Sequence, residues 1–432
     1  MKIEITNGKL FQIDDNNTAL WKEIKSLRIS NGIVSSIDST THDFKPDTVI
    51  DAQGCYILPG LIDLNVSLRE PGFTSKGTIE SETRAAAAGG VTTLCCTPET
   101  SPCNDSKAVT NLIEEQTNKF RNCRVFPLGA LTKGLLGEQL SEYASLKEAG
   151  CVGLSNAYHP IKNLSVTKRC FEYAKTHELS VFINPIEPSL HDGVMHENHV
   201  STTVGLQGIP SLAETIAVSQ LIQLAEATGV HLHLSQLSAA QSVDLIENAK
   251  KKGIDITADV AIHNLMYVDQ NVEHFDSMYH CLPPFRTEHD RLALVKGVNS
   301  GVIDAVTSAH QPHEAAAKQM PFAETAPGMT GIEFLLPMAM KLHSGKKKGG
   351  SVNILKFIQS MTSGSSKVLK SPLPGIDVNQ PADICVFDPC SEYTLEYEDI
   401  ISQGKNTPLV GQKMTGKVMA TILKGNISYI RQ

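Results

Sequence analysis

The chain has 432 residues, 41% hydrophobic and 19% charged, with a formal net charge of -8. That composition supports one large folded unit plus a smaller one and argues against general disorder. The negative balance argues against nucleic acid or an anionic membrane surface as main partner, and no apolar run is long enough to cross a bilayer.

The start, Met1-Lys2-Ile3-Glu4-Ile5, lacks a charged leader followed by an apolar stretch, so a cytoplasmic location is expected. It reads as a strand, Lys2–Ile13. Residues 27–30 and Ile33–Ile37 flank Asn31-Gly32, a dipeptide suited to a hairpin turn because both positions tolerate positive φ. The middle of the chain alternates. Short apolar runs at Leu61–Val66, Val91–Cys96, 124–128, 151–155, Ser180–Ile183, 230–235, 254–258 and 302–307 are predicted strands. Helical stretches lie between them. Ile79–Ala88 is rich in alanine; 211–228 repeats apolar residues near helical spacing and stops at Gly229; 290–298 is a third. Lys346-Lys347-Lys348 is expected as a solvated loop. Strands return at 382–387 and in a hairpin over 417–429, broken at Lys424-Gly425-Asn426.

Strand-rich ends around a β/α middle predict a (β/α)8 TIM barrel over 56–374. A small β-sandwich domain is built from both termini, 1–55 plus 375–432. A doubly wound sheet is the structural alternative. The ten cysteines are scattered without paired Cys-x-x-Cys spacing, so they read as small buried side chains.

Chemistry in such a barrel sits at the carboxyl ends of the strands. Those ends read Asp63-Leu64-Asn65-Val66-Ser67-Leu68-Arg69-Glu70-Pro71-Gly72 for the first and Thr97-Pro98-Glu99-Thr100 for the second. The fourth gives Ser155-Asn156, the fifth Asn184 and the sixth Ser235-Gln236. The eighth gives Thr307-Ser308-Ala309-His310-Gln311-Pro312-His313. With Pro59-Gly60-Leu61-Ile62-Asp63, Val91-Thr92-Thr93, Pro283-Pro284-Phe285-Arg286-Thr287 and Ala326-Pro327-Gly328, these runs resemble the dihydroorotase family of the amidohydrolase superfamily. The likeness extends from Met1 to Gln432.

The resemblance implies metal-assisted hydrolysis or closure of a cyclic amide, in which zinc lowers the pKa of a bound water and an aspartate moves the proton. The family's His-x-His pair falls on Asn65 and Ser67. Its bridging carboxylate falls on Asn156, its fifth-strand histidine on Asn184 and its sixth-strand histidine on Gln236. The catalytic aspartate falls on Ala309. Amides are poor zinc ligands and a methyl group is none, so no metal, no zinc cofactor and no catalytic residue are expected. Neutral Asn, Gln and Ser are expected to hydrogen-bond one another instead. Arg69 stands where the family's arginine meets the substrate carboxylate, a possible remnant that could simply pair with Glu99 or Glu70. Glu99 and Leu282 replace family asparagines of the substrate site.

Fifteen histidines invite a search for a relocated metal site. His231, His233, His263, His310 and His313 read as hydrogen-bonded core or loop residues, and His196 and His199 lack the spacing of a metal-binding helix. The resemblance is greatest to inactive dihydroorotase-like subunits that hold aspartate transcarbamoylase, the preceding enzyme of pyrimidine synthesis, in a complex. A scaffold for that transferase, itself a homo-oligomer, is therefore expected. The alternatives are a residual cyclic-amide hydrolase and a pyrimidine-precursor-binding sensor.

Overall fold

The computed structural model describes every residue except 15, 17, 40–42, 346–349, 372, 374 and 432, so the lysine loop expected at 346–348 lies outside the described residues. The central element is an eight-stranded parallel barrel. Its strands, first to eighth, are Leu61–Val66, Val91–Cys96, Arg124–Ala130, Gly153–Ser155, Ser180–Ile183, Leu232–Leu234, Ile256–Ala261 and Ala305–Thr307. The first, second and seventh are buried throughout, as parallel strands covered on both faces must be.

The ring closes just beyond the named strands. Val66 and His310 form a parallel bridge, Ser67 N–H donates to the His310 carbonyl at 2.9 Å, and His310 N–H donates to the Asn65 carbonyl at 3.2 Å. Ile62, Leu64, Cys95, Leu128, Phe182 and Ala305 form one apolar cluster across it. The doubly wound alternative is excluded by this closure.

Helices are set by their ends. The Thr78 hydroxyl accepts from Ser81 N–H at 3.0 Å while the Ser81 hydroxyl accepts from Thr78 N–H, a reciprocal cap that starts Ile79–Ala88. Leu212–Thr228 ends at Gly229, whose φ of 65° suits a residue without a side chain. The helix expected over 290–298 runs Glu288–Ser300, lengthened by a Thr287 cap.

Both termini build the second unit. Its sheet runs in the order Asn426–Ile430, Lys413–Leu423, Ile384–Thr394, Tyr56–Pro59, Lys2–Ile13, Ala19–Ser30 and Ile33–Ile37, with Thr48–Asp51 beside Lys2–Ile13. Tyr56–Pro59, on the barrel side of the sequence boundary at 56, pairs within this sheet. Val34 N–H donates to the Gln380 carbonyl and Ala382 N–H to the Gly32 carbonyl, both at 2.9 Å. These bonds join the two limbs, so the sheet folds over into a sandwich around Ile3, Ile5, Leu27, Ile57, Ile384 and Ile422. Ala19–Ser30 is longer than its predicted 27–30 stretch: exposed Lys22, Glu23 and Lys25 interrupt the apolar pattern that buried Ala19, Ile24, Leu27 and Ile29 would otherwise show.

The two units are fastened by charge as well as by packing. Arg124 pairs with buried Asp383 at 2.9 Å, and Asp383 also accepts from Lys424 N–H at 2.7 Å. Fully buried Glu82 accepts from the His310 ring at 2.7 Å, from the Ser402 hydroxyl at 2.6 Å and from Gln403 N–H at 3.1 Å. Burial alone would raise the Glu82 carboxyl, but His310, Ser402 and Ser81 outweigh it and hold it below its ordinary value.

Candidate functional site

The strand ends place Asn65, Ser67, Asn156, Asn184, Gln236 and Ala309 at one mouth, and all are buried. They do not form one network. The Asn184 amide donates to the Gln236 side-chain carbonyl at 2.8 Å, and the Tyr158 hydroxyl donates to the same oxygen at 2.6 Å. Asn156 turns away: its carbonyl accepts from the Thr132 hydroxyl at 2.8 Å and its amide donates to the backbone carbonyls of His159 and Leu135. Ser67 meets Thr97 at 3.3 Å. Asn65 Oδ1 and Gln236 Nε2 are buried without a protein partner. The expected mutual bonding of the replaced residues therefore holds only for Asn184 and Gln236. Asn156 is satisfied by loop backbone instead, as a buried amide requires a partner.

The mouth also keeps more acid than its neutral replacements suggest. Asp63 accepts from Asn65 N–H at 3.2 Å and from Ser308 N–H at 3.3 Å, and burial pushes its carboxyl up to about 7 against those bonds. Asp259 accepts from Gln236 N–H at 2.8 Å and from the His233 ring at 2.9 Å. The other His233 nitrogen meets the Thr257 hydroxyl at 2.9 Å, and His231 bridges Ser180 at 2.8 Å and Thr257 at 3.3 Å. Gln236 and Ala309 adopt φ of 58° and 47°, left-handed values that cost about 1 kcal/mol or more for residues with side chains.

Arg69 does not pair with either expected partner. Its Nε donates to the Pro312 carbonyl at 3.1 Å and its Nη2 faces the His313 ring at 3.2 Å. Glu70 instead accepts from Ile79 N–H at 2.8 Å, where the start of a helix favours a carboxylate. Burial lowers the Arg69 guanidinium and Glu99 opposes that. Burial lifts the Glu99 carboxyl to about 7, resisted by Arg69; its nearest ion-pair partner is the His159 ring at 3.7 Å. Leu282 is half-buried ahead of a cis bond to Pro283, and its side chain offers no hydrogen bond.

Among the remaining histidines, His310 meets Glu82, and His196 meets Arg286 at 3.0 Å. His263 departs from expectation: it is buried against Phe285, neither ring nitrogen has a protein partner, and burial lowers it to about 4. The sequence reading missed Tyr158, Asp259 and Glu82. Asp259 left a trace, a lone acid inside the buried run Ile256–Ala261; Tyr158 sits in a loop and left none.

These side chains do not fit a zinc ion. The residues expected at the ligand positions offer amides, one hydroxyl and a methyl, and the Asn184 amide is committed to the Gln236 carbonyl. Among the described residues, no group of three or more His, Cys, Asp or Glu is placed to hold a metal. None of the ten cysteines forms a disulfide, and all but Cys103 and Cys390 are buried.

Parallel barrel, terminal sandwich and a mouth formed by strand ends define a protein of the amidohydrolase type. The L-hydantoinase of Arthrobacter aurescens superposes with a TM-score of 0.86 over 98% of this chain and 95% of its own, at 20% identity, which is a likeness of fold. Residues 54–242 match the dihydro-orotase-like family model. A dihydroorotase-like protein of Pseudomonas aeruginosa is 40% identical over 408 residues, covering 94% of this chain and 95% of that one. A dihydroorotase-like protein of Pseudomonas putida is 40% identical over 430 residues, 99% of both chains. The dihydroorotase of Syntrophotalea carbinolica is 36% identical over 434 residues, again 99% of both. The chain belongs to the dihydroorotase-like family. No helix among the described residues is long and apolar enough to cross a membrane.

Proposed function

We propose that this chain is a dihydroorotase homologue without catalysis, acting in the cytoplasm as a self-associating scaffold subunit for aspartate transcarbamoylase in pyrimidine synthesis. One observation carries the reading. Every position where the resemblance places a metal ligand or the proton-moving aspartate holds Asn, Ser, Gln or Ala, while the barrel around them is closed over a continuous apolar core. A site that must ionise a water near neutral pH needs a cation and a base; Ala309 supplies no base and the amides hold no zinc. Fold and surface can persist when a site is lost, because they depend on different residues. The partner comes from the family resemblance.

The test is to mix this protein with its host's aspartate transcarbamoylase and measure mass by size-exclusion chromatography with light scattering. A joint peak with raised transferase activity or stability supports the scaffold, and two separate peaks refute it. A second reading, binding of a pyrimidine precursor in the old mouth, has in its favour the unpartnered acceptor on Asn65 and donor on Gln236. Dihydroorotate or carbamoyl aspartate would then raise the melting temperature. No shift at saturating concentration removes that reading.

A further inference from the structure

The barrel and the sandwich meet over a cleft of about 790 Å³, at the opposite end of the barrel from the mouth. One wall is the helix Lys107–Phe120 with the start of the third strand, Arg124–Ala130. The other is the sandwich hairpin of Lys413–Leu423 and Asn426–Ile430. Sites for small molecules measure about 300–1,000 Å³ and recur where two folded units adjoin. None of the residues expected at the degenerate mouth lines this cleft.

In a chain of net charge -8 the cleft is basic. Arg121, Arg124 and Lys424 line it, against one acid among the described residues, Glu114, which is exposed and therefore hydrated. Arg124 is committed: its guanidinium donates to the Thr93 hydroxyl at 2.7 Å and pairs with Asp383 at 2.9 Å. Arg121 donates through Nε to the Asn118 carbonyl at 3.3 Å, and Lys424 is held by its backbone N–H on Asp383. Neither side chain makes an ion pair among the described residues, so each wall carries one unmatched cation. Backbone geometry singles out the same two residues. Arg121 and Lys424 have φ of 54° and 48°, left-handed values that suit glycine or asparagine. Arg121 caps Lys107–Phe120, the place glycine most often takes. A long basic side chain on a strained turn, on both walls of one cleft, serves contact with a ligand better than it serves the turn.

The remaining lining is largely apolar, and Val125, Phe126, Leu423 and Ile427 are all partly exposed in it. We propose that this cleft binds a nucleoside monophosphate, its phosphate bridging Arg121 and Lys424 and its base resting on the apolar lining. A guanidinium and an ammonium on facing walls suit a dianionic phosphate, which a guanidinium grips through two parallel N–H bonds. An apolar surface with a few placed charges is what a flat organic ligand requires. A ligand held from both walls fastens the sandwich hairpin to a barrel helix, so binding stabilises the contact between the two units. The site is independent of the scaffold reading and of any ligand in the mouth.

The test is isothermal titration calorimetry of the full-length chain with adenosine monophosphate, uridine monophosphate and ribose phosphate, at about 0.1 M salt so that exposed charges are screened. At least one nucleotide should bind with a Kd of about 1 mM or tighter. Ribose phosphate, which lacks the base, should bind at least about tenfold more weakly. Arg121→Gly and Lys424→Asn should each raise the nucleotide Kd at least about tenfold, the worth of one charge-assisted contact. Neither should lower the melting temperature of the free protein, because glycine and asparagine suit the left-handed φ. Lys424→Arg keeps the charge and should bind as the wild type does. No heat from either nucleotide at about 5 mM overturns the proposal. Binding that survives both Arg121→Gly and Lys424→Asn overturns it too and sends the nucleotide to another surface. Ribose phosphate binding as tightly as the nucleotides, or loss of binding in Lys424→Arg, also overturns it.

Discussion

Replacing Glu99 with Gln should make the protein more stable at alkaline pH and change little in acid. The carboxyl is largely but not wholly buried, its side chain 18% exposed, and its ordinary value of 4.5 is lifted to about 7 by burial, with Arg69 limiting the rise. Below 4.5 the folded and unfolded chains both hold the proton. Between 4.5 and about 7 the fold keeps it and the unfolded chain has released it, so stability falls as pH rises across that window. Above about 7 the whole cost is present, roughly 3 kcal/mol for a carboxyl moved this far. Glutamine keeps the shape and carries no charge. The advantage of Glu99→Gln over wild type should therefore grow by about 2 kcal/mol between pH 5 and pH 8. Equilibrium urea unfolding followed by far-ultraviolet circular dichroism measures both proteins at both pH values. Asp63 and Glu333, which burial lifts in the same way, are common to both and cancel in the difference. An equal difference at the two pH values would refute the assignment of a buried, reluctant carboxyl at this position.

Three further outcomes are expected. Gln236→Ala strips the Tyr158 hydroxyl and the Asn184 amide of their acceptor and should destabilise by about 2–5 kcal/mol in the same unfolding assay; a loss under about 1 kcal/mol would mean those groups find other partners. Restoring the first-strand pair with Asn65→His and Ser67→His should give neither stoichiometric zinc by elemental analysis nor hydrolysis of dihydroorotate, because Asn156, Asn184, Gln236 and Ala309 remain; measurable turnover would falsify the account of the lost site. Glu82→Ala removes the acceptor shared by His310, Ser402 and Gln403, and should cost about 3–5 kcal/mol, read as a lower urea midpoint.

Much of the architecture was legible because the barrel strands are short buried runs bounded by turns, and Ile79–Ala88 is bracketed by a threonine cap and Gly89-Gly90. Edges blurred where strand gives way to loop without a change of polarity. The seventh strand runs on to Ala261, past its predicted end at 258, and so takes in Asp259. Motif order points to the candidate site positions but carries nothing about their hydrogen bonds. Whether Asn156 faces Asn184 or the carbonyls of its own loop depends on backbone conformation, such as φ of 48° at Ala157, which no periodicity encodes. Arg69 shows the same limit. Glu99 and Glu70 are its obvious mates by charge, yet a left-handed turn at Arg69, φ 65°, turns the guanidinium to the Pro312 carbonyl.

The fastening at Glu82 bears on how the chain is made. Its partners Ser402 and Gln403 lie 320 and 321 residues downstream, and His310 lies 228 residues downstream. During synthesis the helix Ile79–Ala88 leaves the ribosome long before any of them. Until they arrive its acid must stay hydrated, so that helix cannot settle against the terminal segment. Closure of that three-way contact therefore has to wait until residues 402–403 have been made. A product ending before Ser402 would hold every barrel strand and leave Glu82 with only His310 of these three partners.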